Sequence, residues 1–148
     1  MVKSKGLAHK GRLIALDFGE KRSGIAVTDP MQMIASPYKG VETRFLLDEL
    51  FSLIEDDDAC AGLVVGLPLR MHGGLNEVEN RIQNILKTIV KRYPQLPIYR
   101  VDERLTSKMA VQSLINSGVP KNKRRDKLLI DSTSAAIILQ SFLENLSK

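Results

Sequence analysis

A single cysteine, Cys60, occurs in the 148 residues, so the chain can form no internal disulfide. Set beside an apolar run, that thiol reads as buried and inert, and it suits a reducing, cytoplasmic location. No apolar run approaches the roughly 18 residues that a membrane-spanning helix needs, so no contact with a membrane interior is expected. Residues 1–11 are basic but hold no apolar h-region; they are expected to be a flexible basic tail and not a secretion signal. Tryptophan is absent, and three Tyr and four Phe are the whole aromatic content. Histidine occurs twice, and only His72 falls inside the expected folded part.

Hydrophobic residues at 43% and charged residues at 26% are the proportions of a globular, water-soluble domain. The length suggests one such domain over residues 12–148, able to bury roughly 68–70% of the unfolded chain's surface. The charge is unevenly spread. The chain nets +5, while residues 87–127 hold eleven Lys or Arg against three Asp or Glu, a net of +8 that leaves −3 for the remainder. A pI near 9.4 with segregated charge points to an anionic partner, nucleic acid first. The few aromatics offer no stacking platform for unpaired bases, so composition does not separate RNA from DNA.

The stretch from Arg12 to Asp29 carries the first chemical signal. Residues 13–16 are an apolar run of strand length, and 23–28 are a second run rich in small and β-branched residues. A polar turn with Gly19 and Gly24 lies between them, which predicts a β-hairpin with Asp17 at the exit of its first strand. Lys21 and Arg22 sit on that turn. A carboxylate beside two cations and a glycine suits phosphate handling with a metal; an Asp that merely bonds its own turn is the structural alternative.

Further along, 33–38 predicts a third strand, placed at an edge by Pro37. Thr43 is expected to cap a helix whose apolar positions are Phe45, Leu46, Leu47, Leu50, Phe51 and Ile54. The four acids at 55–58 read as its solvated end. Residues 62–66 predict a buried strand, and the loop at its carboxyl end contains His72, in the region where sites gather in open α/β sheets. A long amphipathic helix over 76–93 carries Val78, Ile82, Ile85, Leu86, Ile89 and Val90 on one face. Residues 98–102 alternate as a strand, followed at once by Glu103 and Arg104. A helix over about 107–118, stopped by Gly118, leads to a basic loop with five cations and one acid over 121–127. The last helix runs from about 128 to 146. Its small residues 132–136 allow close packing on a sheet, and Asp131 lies in its first turns.

Asp17, Glu103 and Asp131 are thus three acids at element ends. Carboxylates that converge cannot all stay ionised and unpaired. Mg²⁺ or Mn²⁺ resolves the repulsion, since both prefer oxygen ligands, and two such ions about 3.5–4 Å apart are usual for phosphodiester hydrolysis.

Four segments together resemble the YqgF/RuvX family: Asp17-Phe18-Gly19-Glu20-Lys21-Arg22-Ser23-Gly24-Ile25-Ala26-Val27, Val65-Gly66-Leu67-Pro68, Asp102-Glu103-Arg104-Leu105-Thr106, and Ile130-Asp131-Ser132 with Ser134-Ala135-Ala136. The resemblance spans about residues 12–146. It implies an RNase H-like α/β fold, with a five-stranded mixed sheet whose strands 1, 2 and 3 are antiparallel, strands 4 and 5 parallel to strand 1, and helices on both faces. It implies a metal-dependent nuclease acting in 5′-end maturation of the 16S rRNA precursor. The alternatives are a Holliday junction resolvase-type DNA nuclease and a non-catalytic nucleic-acid-binding or transcription-associated module. By motif position, Asp17, Glu103 and Asp131 would be the catalytic acids that hold Mg²⁺ or Mn²⁺. Lys21, Arg22, Arg104, Lys121, Lys123, Arg124, Arg125 and Lys127 are expected to bind nucleic acid, pre-rRNA foremost and branched DNA second. The chain is expected to be a monomer or weak homodimer.

There is one departure from the family pattern. After Gly-Leu-Pro the family carries Asn-Met-Asp-Gly, whereas this chain has Arg70-Met71-His72-Gly73, which leaves the substrate contacts of that loop open. Asp17-x-Gly19 also resembles the first phosphate loop of actin-like ATPases. The chain has no second Asp-x-Gly and is too short for two lobes, which excludes that reading.

Overall fold

The apolar run after Arg12 forms β1 (Arg12–Asp17), which folds back antiparallel onto β2 (Arg22–Thr28). The computed structural model describes residues 11–56, 60–68, 77–102 and 126–146, together with positions 116, 118 and 120. Within them β3 (Ala35–Glu42) pairs antiparallel with β2, while β4 (Cys60–Leu67) and β5 (Ile98–Asp102) run parallel to β1. The strand order is β3-β2-β1-β4-β5, the mixed five-stranded sheet that the family resemblance implies. Helices α1 (Leu46–Asp56) and α2 (Glu77–Arg92) cover one face, and α3 (Lys127–Leu146) covers the other.

The two faces are packed differently. On the α1/α2 side, Ile14, Leu16, Phe18, Ile25, Leu63 and Val65 meet Leu46, Leu50, Ile82 and Ile89, all large and buried. Full burial of one such side chain contributes roughly 1.5–3 kcal/mol. On the other side the sheet offers Ala15, Ala26 and Ala61, and α3 answers with Ala135 and Ala136. Small residues facing small residues let this helix lie close to the strands, as 132–136 suggested.

Several boundaries differ from expectation, each for a local reason. The third strand begins at Ala35 and runs on to Glu42. Met33 and Ile34 are held in the preceding turn because Asp29 accepts their N–H groups at 2.9 and 2.8 Å, and that of Met31 at 3.1 Å. Pro37 does lie on an edge strand, beside a bulge where Ile25 pairs with Lys39 and Ala26 with Pro37. Thr43 does not cap a helix: it opens a short 3-10 turn, Thr43–Phe45, and its hydroxyl is used elsewhere. Phe45 and Val90, assigned to apolar helix faces, are exposed. Cys60 is half-buried rather than buried, as the first residue of β4. Glu55 is exposed, as expected of a solvated acidic end, and in that position it pairs with Arg92 and accepts the Tyr93 hydroxyl at 2.9 Å. Gly11, the last residue of the expected tail, donates to Pro30 O at 2.9 Å and accepts from Gln32 Nε2 at 3.0 Å. The expected helix over 107–118 and the loops holding His72 and residues 121–125 lie outside the described residues, apart from Asn116 and Gly118.

Candidate active site

Strand alternation decides which acids can meet. In β1, Ile14 and Leu16 point into the α1/α2 core, while Leu13 and Ala15 point toward α3. Asp17, two residues beyond Ala15, ends the strand on the α3 side. In β2 the same parity puts Ala26 on the α3 side, and with it Gly24 and Arg22. Asp17 pairs with Gly24, and Gly24 pairs with Gly40 of β3, so one row crosses three strands.

That row is where α3 sits. A Cβ at Gly24 would lie 1.9 Å from the backbone oxygen of Asp131, and one at Gly40 would lie 2.2 Å from that of Leu128. Neither distance is sterically possible, so the glycines are what lets the first turns of α3 rest on the strands. The helix begins with an Asp cap, but the cap is Asp126, whose Oδ1 accepts from Leu128 N at 3.0 Å and Leu129 N at 3.4 Å. Asp131 is left for another purpose. It is set down over Gly24, next to the strand end that carries Asp17.

The two acids line one open pocket of about 410 Å³ with Phe18, Gly19, Glu20, Lys21 and Arg22. A larger depression of about 540 Å³ runs along α2 and β5, but its floor is the aliphatic Leu86, Val90 and Ile98, and no carboxylate lines it. Of these two, only the polar pocket is lined by carboxylates. Its loop is tightly braced. Thr43 Oγ1 donates to Gly19 O at 2.6 Å, the hydroxyls of buried Ser23 and Thr43 lie 2.8 Å apart, and Gly19 N donates to Ser23 Oγ at 3.2 Å. Thr43 N adds a bond to Lys21 O at 2.9 Å. Sequence reading missed both hydroxyl residues, because Thr43 lies 24 positions from the carbonyl it holds.

Arg22 Nε donates to Asp131 Oδ2 at 3.1 Å. Burial nonetheless pushes the Asp131 carboxyl above the usual carboxylate range; Arg22 only partly offsets this, and the Asp126 carboxylate adds to it. Oδ1 of Asp131 has no hydrogen-bond donor among the described residues. A second carboxylate, Asp17, lines the same space. Carboxylate oxygens from two elements facing one pocket are what a hard divalent cation requires, so these residues fit Mg²⁺ or Mn²⁺. No cluster of three or more potential metal-binding side chains occurs among the described residues. Glu103, the third acid, lies outside them, as do Arg104, Lys121, Lys123, Arg124 and Arg125. Lys21 is exposed on the pocket, and Lys127 is exposed at the start of α3.

The family model for RuvX, described as a Holliday junction resolvase, matches residues 11–145. The chain belongs to the RuvX family. Within that family it is similar to a protein of Christiangramia forsetii named "Putative pre-16S rRNA nuclease", with 49% identity over 135 residues that cover 89% of this chain and 97% of the relative. A protein of the same name from Porphyromonas gingivalis is 42% identical, over 91% of this chain and 97% of its own. Among solved structures, T. thermophilus RuvC in complex with Holliday junction substrate superposes with a TM-score of 0.53 and 14% identity, over 91% of this chain and 95% of that one. The Fowlpox virus resolvase bound to Holliday junction DNA gives 0.55 and 11%, over 93% and 99%. At such identities the likeness is one of fold, and the RuvX chain has the RNase H-like fold. It is a member of a nuclease family.

Proposed function

We propose that this RuvX chain is a divalent-metal-dependent nuclease that hydrolyses phosphodiester bonds of the 16S rRNA precursor. The observation that carries the reading is the meeting of Asp17 and Asp131, 114 positions apart in the chain, in one polar pocket where burial holds the Asp131 carboxyl above its ordinary value. Asp17, Asp131 and, by its motif, Glu103 are the acids we assign to Mg²⁺ or Mn²⁺. When bound, such ions assist the attacking water and stabilise the leaving oxygen. The chain's own part is to hold the carboxylates still, through β1, the glycine seat of α3 and the Ser23–Thr43 brace. Lys21 and Arg22 take phosphates beside the acids, joined by Arg104, Lys121, Lys123, Arg124, Arg125 and Lys127.

The substrate follows the names of the relatives, which match over nearly their whole length. RNA maturation places the protein in the cytoplasm, and no helix among the described residues is long and apolar enough to cross a membrane. The family description supports a second reading, cleavage of a four-way DNA junction. Junction cutting needs two active sites, so it requires a stable dimer, whereas rRNA trimming is open to a monomer or weak homodimer. A passive binding module is the third possibility.

One experiment separates them: cleavage of a 16S precursor fragment beside a four-way junction, with Mn²⁺ or Mg²⁺, together with the mass of the protein in solution. Cleavage of the precursor is expected, and Asp17→Asn should slow it at least about 10²-fold, roughly 2.7 kcal/mol of barrier. A variant that cuts at the wild-type rate would remove Asp17 from the chemistry. Binding without any cleavage would leave the passive module.

A further inference from the structure

Two of the arginines that pair with carboxylates among the described residues, Arg100 and Arg22, do so differently. Arg100 holds Glu79 through both terminal nitrogens, at 2.9 and 2.7 Å, and also donates to the carbonyls of Val65 and Gly66 at 3.3 and 2.9 Å. That is a locked, two-pronged contact of the strong kind. Arg22 holds Asp131 by one N–H only, Nε at 3.1 Å, and its guanidinium has no other partner among the described residues. The Arg22 side chain is 39% exposed, against 20% for Asp131. Their freedom to move is unequal as well. Asp131 is fixed by a helix pressed onto Gly24, whereas Arg22 is a long side chain projecting from the first residue of β2 into the pocket.

We infer that Arg22 is a stand-in cation: it covers Asp131 when no divalent ion is bound, and the ion that takes Asp131 releases the guanidinium to a substrate phosphate. The inference rests on the assignment of Asp131 as a metal ligand. The physical reason is competition. A guanidinium and a divalent cation on one carboxylate repel each other, so an ion that enters at the open Oδ1 weakens the single Arg22 contact at Oδ2. The displaced Arg22 is then an unpaired fork of donors beside Lys21, which is the geometry that recognises phosphate. Metal and nucleic acid therefore assist each other's binding, and thermodynamics makes that assistance mutual. It also gives Arg22 two effects of opposite sign, weakening the metal and strengthening the strand.

The test is Mn²⁺ affinity, read from the electron paramagnetic resonance signal of free Mn²⁺, with and without a short phosphorothioate single strand. Without the strand, Arg22→Gln is expected to bind Mn²⁺ more tightly than wild type by between about two- and five-fold, the range set by a half-exposed ion pair. Addition of the strand should tighten Mn²⁺ binding in wild type and do so less in the variant. Equal or weaker Mn²⁺ binding by Arg22→Gln, or an undiminished effect of the strand, would overturn the inference. Asp131→Asn separates the two layers: unchanged Mn²⁺ affinity there would mean that Asp131 is no ligand and that the assignment of the site, not the competition, is at fault. Should Arg22→Gln fail to fold, Arg22→Met carries the same test, since it keeps the aliphatic stem and loses the charge and the donors; its Mn²⁺ affinity is again expected to exceed wild type, and an equal or lower one would overturn the inference.

Discussion

At Asp131, burial and Arg22 act in opposite directions, and burial wins, so the carboxyl is harder to ionise in the folded protein than in the unfolded chain. Between the ordinary Asp value and the raised one, the folded state binds more protons, and metal-free stability must fall as pH rises through that window. Asp131→Asn is fixed in the neutral form. Without metal it is expected to melt above wild type at pH 7, and the gap should close as pH falls toward about 4. Added Mn²⁺ should raise the wild-type midpoint and leave that of the variant nearly unmoved. Calorimetry across a pH series checks this, and a variant that melts lower at pH 7 would contradict it. Thr43 has a different effect. Thr43→Val removes the 2.6 Å bond to Gly19 O and the partner of Ser23, at a cost of about 1 kcal/mol. The larger effect is expected on kcat, with KM little changed, because the loop that follows Asp17 loosens while the phosphate contacts remain. Thr43→Ser keeps the hydroxyl and should restore the rate; failure of that rescue would make the role one of packing. Asp17 was legible in the sequence as a carboxylate at a strand exit. Thr43 was not, because a threonine before an apolar run looks like a cap, and only the fold brings Gly19 under its hydroxyl.

The elements were legible where periodicity was strong and less so where the surface dictates composition. Strands β1, β2 and β4 are buried and apolar, and helices α1, α2 and α3 repeat apolar or small residues at helical spacing. β3 is an exposed edge containing Pro37, Lys39, Gly40 and Glu42, so its second half has no apolar alternation to read. Gly40 looks like a breaker in sequence, yet it is a seat. Pairing Gly24 with Gly40 under α3 predicts a specific pattern of damage. Gly24→Ala forces the Asp131 backbone off the sheet, at a cost of about 3 kcal/mol, which for a chain of this size is roughly 6–12 °C in Tm. Cleavage should be lost at temperatures where the variant is still folded, since the carboxylate moves with its helix. Gly40→Ala should cost a similar amount in stability. Because both changes push the same helix turns outward, the double variant should cost less than the sum. Urea unfolding of the three proteins measures this; strict additivity would mean that the two contacts are independent and that α3 does not shift as one piece.

Across the whole molecule the charge distribution is the feature that sequence showed most directly, because counting Lys and Arg needs no fold. Its meaning depends on where those charges stand relative to the acids. Lys21 lies on the pocket, Arg22 is turned inward onto Asp131, and Lys127 opens α3 a few residues before Asp131. The basic segment with Lys121, Lys123, Arg124 and Arg125 immediately precedes that helix in the chain. An acidic pocket repels a polyanion until cations around it outweigh the carboxylates, so affinity should reside in this basic segment and hydrolysis in the acids. Nucleic-acid affinity should then fall steeply with salt, with a log–log slope of about −0.7 per phosphate contacted on a single strand. Neutralising Lys123, Arg124 and Arg125 together should flatten that slope by roughly 2 and raise Kd at every salt concentration. Single-turnover cleavage at saturating substrate should change much less, because these side chains position the backbone and do not act on the attacking water. Both quantities are measured on the triple variant, at two or more salt concentrations. An unchanged slope would reduce the loop to a solvated connection. Intact binding with cleavage lost at saturation would instead place the loop within the catalytic site, and the division between a basic grip and an acidic centre would fall.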